Sequence, residues 1–261
     1  MKLDLTTSHI ADASILTDTY NSLPTIEQAA SSITDHAFIS VLDNLGYLIL
    51  SNNLENYIGL RLLHKHNNLC ERELMIEKED LSADDRPSLS TAPLIPSHNL
   101  DSFYPSIWQL VADEFLPLEY TTDPIVADVQ HRFDSEFTSG FTTLLNRSGL
   151  QKLIGPCAIK RQFYTKYRPV KSALLIEVTD PQKRANIVTF TDTQDLPVSK
   201  LVPTTWEIKR SFDTVTACEI QNCQTVTACV VDSTGHSSQS THTSQQVFVP
   251  DPSAPPTPVP C

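Results

Sequence analysis

A chain of 261 residues with 31 acidic against 19 basic side chains carries a formal charge of −12. That balance repels phosphate backbones and anionic lipid surfaces over the distances salt leaves unscreened, which argues against nucleic-acid and membrane partners. Six cysteines fall short of the density of a disulfide-stapled secreted module, the opening MKLDLTTSHIADAS lacks the apolar stretch of a signal peptide, and YLIL or SALLIEV are far shorter than the roughly 20 residues a bilayer-spanning helix needs; the expectation is a cytoplasmic protein with reduced thiols.

The first predicted element follows Pro24. Thr25 and Gln28 have capping-box spacing, and Ile26, Ala30, Ile33, Ala37, Val41 and Leu45 recur every three or four residues, so an amphipathic helix is expected over 25–46, ending near Gly46. From Tyr57 the pattern alternates. A strand over 56–66 sets Leu60, Leu62, His64 and His66 on one face and Arg61, Leu63 and Lys65 on the other. Asn67 and Asn68 supply turn chemistry, and ELMIEKE, 73–79, reads as the returning strand of a hairpin. Residues 81–101, rich in proline and small polar side chains, read as an irregular loop.

Val129, Phe133, Phe137, Phe141 and Leu145 stand at four-residue intervals and predict a second helix over 126–148, closed near Gly149. Beyond it GPCAIKRQFYTKY, SALLIEVTD and ANIVTFTD read as strands, the last two a hairpin across PQKR. TVTAC occurs at 214–218 and again at 225–229, which suggests a hairpin around EIQNCQ. The last stretch, 233–261, is polar and then proline-rich, and is expected to be a disordered tail able to offer an extended ligand to a protein partner. The fold class that follows is α+β: one domain over 1–232, a mixed or antiparallel sheet with the two main helices packed on one side.

No pair of the six glycines makes a phosphate-cradling loop or a dinucleotide fingerprint, and neither a G-x-S-x-G elbow nor an H-E-x-x-H helix is present. The candidate chemistry begins at GLRLLHKHNNLCERE. Two histidines two apart on a strand project to one side and can meet one ion, and a carboxylate from the returning strand, Glu73 or Glu77, completes a two-histidine, one-carboxylate face for Fe²⁺ or Zn²⁺, or acts as general base. The layout resembles the H-x-H…E half of a cupin metal motif, with Gly59 ahead of it. The glutamate lies further off than in that motif, and no P-x-G…H follows, so His98 or His131 would stand in. The competing reading is a pair of strand-end histidines satisfied by ordinary hydrogen bonds.

Two further groupings carry weaker signals. Cys218, Cys223, Cys229 and His236 are zinc-ligand types, but four, five and six residues separate them, where a structural knuckle is tighter; small thiols buried in strands account for them better. Nothing local marks Cys70 or Cys157 as an activated nucleophile. KRQFYTKYRPVK, 160–171, holds five basic and no acidic side chains. Lys160, Arg161, Lys166 and Arg168 there suit a carboxylate or phosphate group of a small-molecule ligand, with Tyr164 shaping the pocket; the alternative is a sheet edge guarded by cations.

GLRLLHKHNNLCERELMIE also resembles a segment that recurs in a group of filamentous-fungal proteins, where G-L-x-L-L-H-x-H precedes a glutamate-bearing strand, and Trp206 followed by Cys218 and Cys223 fits the same group. The likeness spans about a fifth of the chain. It implies a fungal intracellular protein encoded beside metabolic genes, and it implies no activity, cofactor or catalytic residue. Two functions of different class remain: a small-molecule enzyme or binding protein centred on His64 and His66, and a non-catalytic accessory protein acting through its proline-rich tail.

Overall fold

The computed structural model describes residues 9–33, 36–80, 87–96, 102–159, 174–191, 201–213 and 218–230. In chain order they form α1 (His9–Asn21), α2 (Ile26–Ser32), α3 (His36–Ser51), β1 (Ile58–Leu62), β2 (Leu74–Asp80), β3 (Ser88–Leu94), β4 (Tyr104–Val111), β5 (Glu114–Thr121), α4 (Ser135–Ser148), β6 (Ile154–Ala158), β7 (Leu174–Asp180), β8 (Ala185–Thr191), β9 (Leu201–Asp213) and β10 (Cys218–Val230). The class is α+β, and the sheet curls into a closed barrel in the order β1-β6-β4-β5-β2-β3-β8-β7-β10-β9.

The barrel is a doubled unit. The run α3–β1–β2–β3–β4–β5 recurs as α4–β6–β7–β8–β9–β10, and every described pairing has its counterpart. β2 and β5 run parallel with Met75 opposite Glu119 and Glu77 opposite Thr121; β7 and β10 run parallel with Leu175 opposite Thr227 and Glu177 opposite Cys229. The β4/β5 hairpin shifts register on either side of Ile107, and the β9/β10 hairpin shifts at the matching place, where Thr205 meets Thr227. β1 pairs with β6, and β3 with β8, antiparallel, as a two-fold axis through both seams demands. The sequence keeps a faint trace of this in LMIEKED and LLIEVTD, which share Leu74/Leu174, Ile76/Ile176, Glu77/Glu177 and Asp80/Asp180.

Two glycines show why the doubling holds. A Cβ on Gly59 would lie 2.3 Å from the Trp206 carbonyl oxygen, and one on Gly155 would lie 2.0 Å from that of Trp108. Each is the second residue of an Ile-Gly pair opening a short strand, and each lets that strand cross a tryptophan-bearing neighbour at backbone contact, which any side chain would block.

Buried side chains of α2, α3 and α4 form one cluster with Ile58, Leu60 and Leu62 of β1, Trp108 of β4, Ile154 of β6 and Trp206 of β9. On the other side Leu63, just past β1, Met75 of β2, Ile107 of β4 and Cys157 of β6 gather around Tyr20 of α1. The barrel's lumen is on this second side, because Arg61 on β1 bonds Glu177 on β7 although β9 and β10 stand between them in the wall.

Several expectations need correction. The helix over 25–46 is two: α2, with Thr25 and Gln28 forming the anticipated capping box, and α3, which runs through Gly46 to Ser51 because fully buried Ile49 gains more than the roughly 1 kcal/mol a mid-helix glycine costs. The strand over 56–66 stops at Leu62, and 73–79 does not return along it: β2 pairs with β3 and β5. Part of the loop over 81–101 is β3. The second helix begins only at Ser135, where Asp134 accepts from the Phe137 amide, and two 3-10 turns precede it; it closes, as expected, on Gly149 in the left-handed region, φ 71°. The β7/β8 hairpin forms as read. EIQNCQ is the interior of β10 instead of a turn, since β10 pairs with β9 along its whole length. Neither α1 nor the β4/β5 hairpin was anticipated, the latter because Pro105 and Pro117 count against strand, yet both sit where the bulge interrupts regular pairing. The stretch 233–261 lies outside the described residues.

Candidate metal centre inside the barrel

After Leu62 the chain leaves the wall. Its irregular path is fixed by backbone bonds: the Leu63 amide donates to the Leu153 carbonyl and the Lys65 amide to that of Pro24. Asn21, at the end of α1, grips the Leu69 backbone at both its amide and its carbonyl, 2.7 and 2.9 Å, and the Tyr20 hydroxyl accepts from the His66 amide. His64 and His66 therefore do not share the outward face of Leu60 and Leu62. Leaving the strand turns both rings into the lumen, where each is buried and their centroids lie 4.5 Å apart, edge to face.

They meet Glu177. Its Oε2 lies 3.9 Å from His64 Nε2 and 3.7 Å from His66 Nε2, and the three donor atoms of the group lie within 4.8 Å of one another. The far nitrogens set the chemistry. His64 Nδ1 is 2.9 Å from the Leu62 carbonyl oxygen; a carbonyl only accepts, so Nδ1 carries the proton and Nε2 of the neutral ring turns a lone pair toward the carboxylate. His66 Nδ1 is 3.1 Å from Thr179 Oγ1. Lone pair facing carboxylate is repulsive without positive charge between them, and that charge is either a proton on each Nε2 or one shared cation. A tetrahedral ion with bonds of about 2.0–2.1 Å holds its donors about 3.4 Å apart, a few tenths of an ångström inside the 3.7 and 3.9 Å from Glu177 to the imidazoles and well inside the 4.8 Å that bounds the whole group.

Glu177 is also held from behind. Arg61 forks onto it, Nη1 to Oε1 and Nη2 to Oε2, the latter at 2.9 Å; Thr204 donates to Oε1 at 2.8 Å, and Arg61 Nη1 further donates to Thr205 Oγ1 at 2.8 Å. Burial alone would raise the carboxyl's affinity for protons, but the charge and hydrogen bonds of Arg61, helped by the charge of the two histidines when they are protonated, outweigh it and hold Glu177 well below the ordinary carboxylate range. Burial likewise works against the Arg61 charge, and Glu177 with Glu119 reverses it, so the guanidinium stays protonated.

The other half of the barrel supplies an internal control. Glu77 is the counterpart of Glu177, yet Arg61 is matched by Cys157 and Thr205 by Ile107, both buried. The same scaffold closes with small or apolar side chains at those positions, so closure does not require the charged network.

The remaining expected residues fall elsewhere. Glu73 stands outside the cluster and pairs with Arg184 at 2.9 and 2.8 Å, while its Oε2 accepts from the Cys70 amide; the Arg184 hydrogen bond, with smaller contributions from the Cys70 amide, lowers its pKa against some desolvation. Glu77 is buried on β2 between Thr91 and Thr121. His131 is exposed in a 3-10 turn. Neither Cys70 nor Cys157 forms a disulfide. Lys160, Arg161, Tyr164, Lys166, Arg168, His98 and His236 lie outside the described residues, and of Cys218, Cys223 and Cys229 the structure gives only the backbone course along β10. Sequence reasoning missed Glu177, Arg61, Thr179 and Thr204. One signal was available for the first: in LLIEVTD the carboxylate shares its period-two face with Leu175 and Thr179, which marks an acid turned inward.

No family model matches this chain, and no significant match was found among curated proteins or solved structures. Among the described residues no helix is long and apolar enough to cross a membrane.

Proposed function

We propose that the protein binds one divalent transition-metal ion in the barrel lumen through His64 Nε2, His66 Nε2 and Glu177 Oε2, and uses it on a small molecule with an anionic group. The observation that carries this reading is the convergence of two buried imidazoles on one carboxylate oxygen, with the His64 tautomer fixed by a backbone carbonyl. Imidazole and carboxylate donors suit Fe²⁺, Zn²⁺ or Mn²⁺ and leave positions open, through which an ion polarises a substrate oxygen or activates water. Arg61, Thr204 and Thr179 orient the ligands from outside, as hydrogen-bonded second partners do at metal sites. The basic run from Lys160 to Arg168, with Tyr164, follows directly on β6 and is the proposed holder of the substrate's anionic group.

The fork of Arg61 onto Glu177 favours a second reading, in which protons on His64 and His66 supply the charge and the cluster is a metal-free ionic network. One experiment separates the two. Purified full-length protein is dialysed against Zn²⁺, Fe²⁺ or Mn²⁺, freed of excess ion and analysed for metal, beside a His64→Ala/His66→Ala variant. One equivalent per chain in the parent and under about a tenth of that in the variant is expected; a parent that retains no ion, or a variant that retains it fully, overturns the metal reading.

A further inference from the structure

Asn186 borders this site, beside the Glu177 carboxylate, without having been assigned to it. It lies on β8, opposite Thr179 of β7 on one side and Thr91 of β3 on the other, with 2 % of its surface exposed. Its amide nitrogen is 3.5 Å from Glu177 Oε2, the same carboxylate oxygen that both imidazoles face. Its other amide atom, Oδ1, is buried and has no hydrogen-bond partner. A buried amide oxygen left in that state costs about 1–3 kcal/mol, so the arrangement calls for a ligand or a rotation of the amide that satisfies it.

The doubled fold excludes a scaffold requirement. Thr179 pairs with Asn186 on β7/β8 as Glu79 pairs with Leu89 on β2/β3. Leu89 is therefore the counterpart of Asn186, and it is equally buried, 3 % exposed. An apolar side chain fills this wall position in one half, and in the other an amide with an unsatisfied oxygen fills it, beside the Glu177 carboxylate that the histidines face.

We infer that Asn186 is the fourth protein ligand of the ion, through Oδ1, giving a set of two imidazoles, one carboxylate and one amide. The inference rests on the metal reading above and deepens it. An amide oxygen is a neutral, hard donor: it adds no charge to a lumen already holding the Arg61–Glu177 pair, and it turns the site toward Zn²⁺, Fe²⁺ or Mn²⁺ and away from soft Cu⁺. It also places ligands on β7, β8 and the segment after β1, so that a bound ion ties two strands of the wall to a segment that has left it.

The test uses the full-length chain freed of metal by a chelator and titrated with Co²⁺, whose visible absorption reports coordination number and donor set. Asn186→Leu installs the side chain that Leu89 already shows the scaffold to accept. It is expected to keep one Co²⁺ per chain, to weaken binding at least about tenfold and to alter the visible spectrum. Asn186→Asp, which exchanges a neutral for a charged oxygen donor, is expected to bind more tightly than the parent and decides the matter should the leucine variant not fold. Parent affinity and an unchanged spectrum in the foldable variants overturn the assignment while leaving the three-ligand reading in place. A parent chain that takes up neither Co²⁺ nor Zn²⁺ removes both.

Discussion

Replacing Arg61 with leucine in the metal-free protein probes the lumen most directly. The guanidinium makes two bonds to Glu177 and one to Thr205, and Glu177 is almost fully buried. Removing one partner of such a pair leaves an uncompensated buried charge and costs about 3–5 kcal/mol. The pH dependence is the sharper signature. In the parent, Arg61 and the histidines hold the Glu177 pKa below its unfolded value of 4.5, so the associated stability is complete above that value and is lost as pH falls through the folded pKa. Without Arg61, burial dominates and raises the folded pKa above 4.5, and a proton taken up by Glu177 or by the adjoining imidazoles relieves the lone charge. Variant stability therefore declines as pH rises from about 5 to 8, and the gap to the parent widens over that window. Urea unfolding followed by the fluorescence of buried Trp108 and Trp206 at several pH values measures both quantities. A variant within about 1 kcal/mol of the parent at pH 7.5, with the same slope against pH, refutes the argument, since it would mean the carboxylate is neutral or solvated without its arginine.

Other expectations follow from the fold. Gly155→Ala and Gly59→Ala drive a Cβ to 2.0 and 2.3 Å from a backbone oxygen, and each should cost about 2–3 kcal/mol or more, by similar amounts because the positions are two-fold mates; a loss under about 0.5 kcal/mol in either would contradict the close crossing. In the β4/β5 turn Ala112 and Asp113 both have positive φ, 49° and 66°, so Ala112→Asn with Asp113→Gly should raise stability by about 1 kcal/mol in the same urea assay. Glu73→Gln should lower stability by up to about 1 kcal/mol at pH 7, a modest figure because Arg184 is partly exposed. With the Glu73 pKa lowered from 4.5, that contribution is present above 4.5 and fades as pH falls through the folded value, so parent and variant curves should converge in acid.

Half of the candidate site was legible in the chain and half was not. His64 and His66 declare themselves because their spacing is local, and local spacing survives the loss of the strand assumed to carry it. Glu177 is more than a hundred residues away, and its proximity to the histidines depends on a ring closing through ten strands, which no window of sequence reports. Glu73 and Glu77 were chosen as acids of the strand expected to return beside the histidines; one is spent on Arg184, and the other is buried on β2 between Thr91 and Thr121. Helix α4 was readable from its aromatic spacing at Phe137, Phe141 and Leu145 because burial and period coincide. β4 and β9 were obscured by Pro105 and Pro203, residues the bulges accommodate. The duplication was veiled because the two halves differ at the very residues, Arg61 against Cys157 and Asn186 against Leu89, that a self-comparison would need to match.

The joint between β1 and β9 is narrow, only Leu60 with Trp206 and Arg61 with Thr205 among the described residues. Arg61 fastens that joint twice, to Thr205 across it and to Glu177 two strands further round the hoop. Whatever occupies the centre thus acts as a latch on a narrow rung of the ring, and its arrival should be felt first as slower deuterium uptake at Leu60 and Trp206, before any change at the β2/β5 seam.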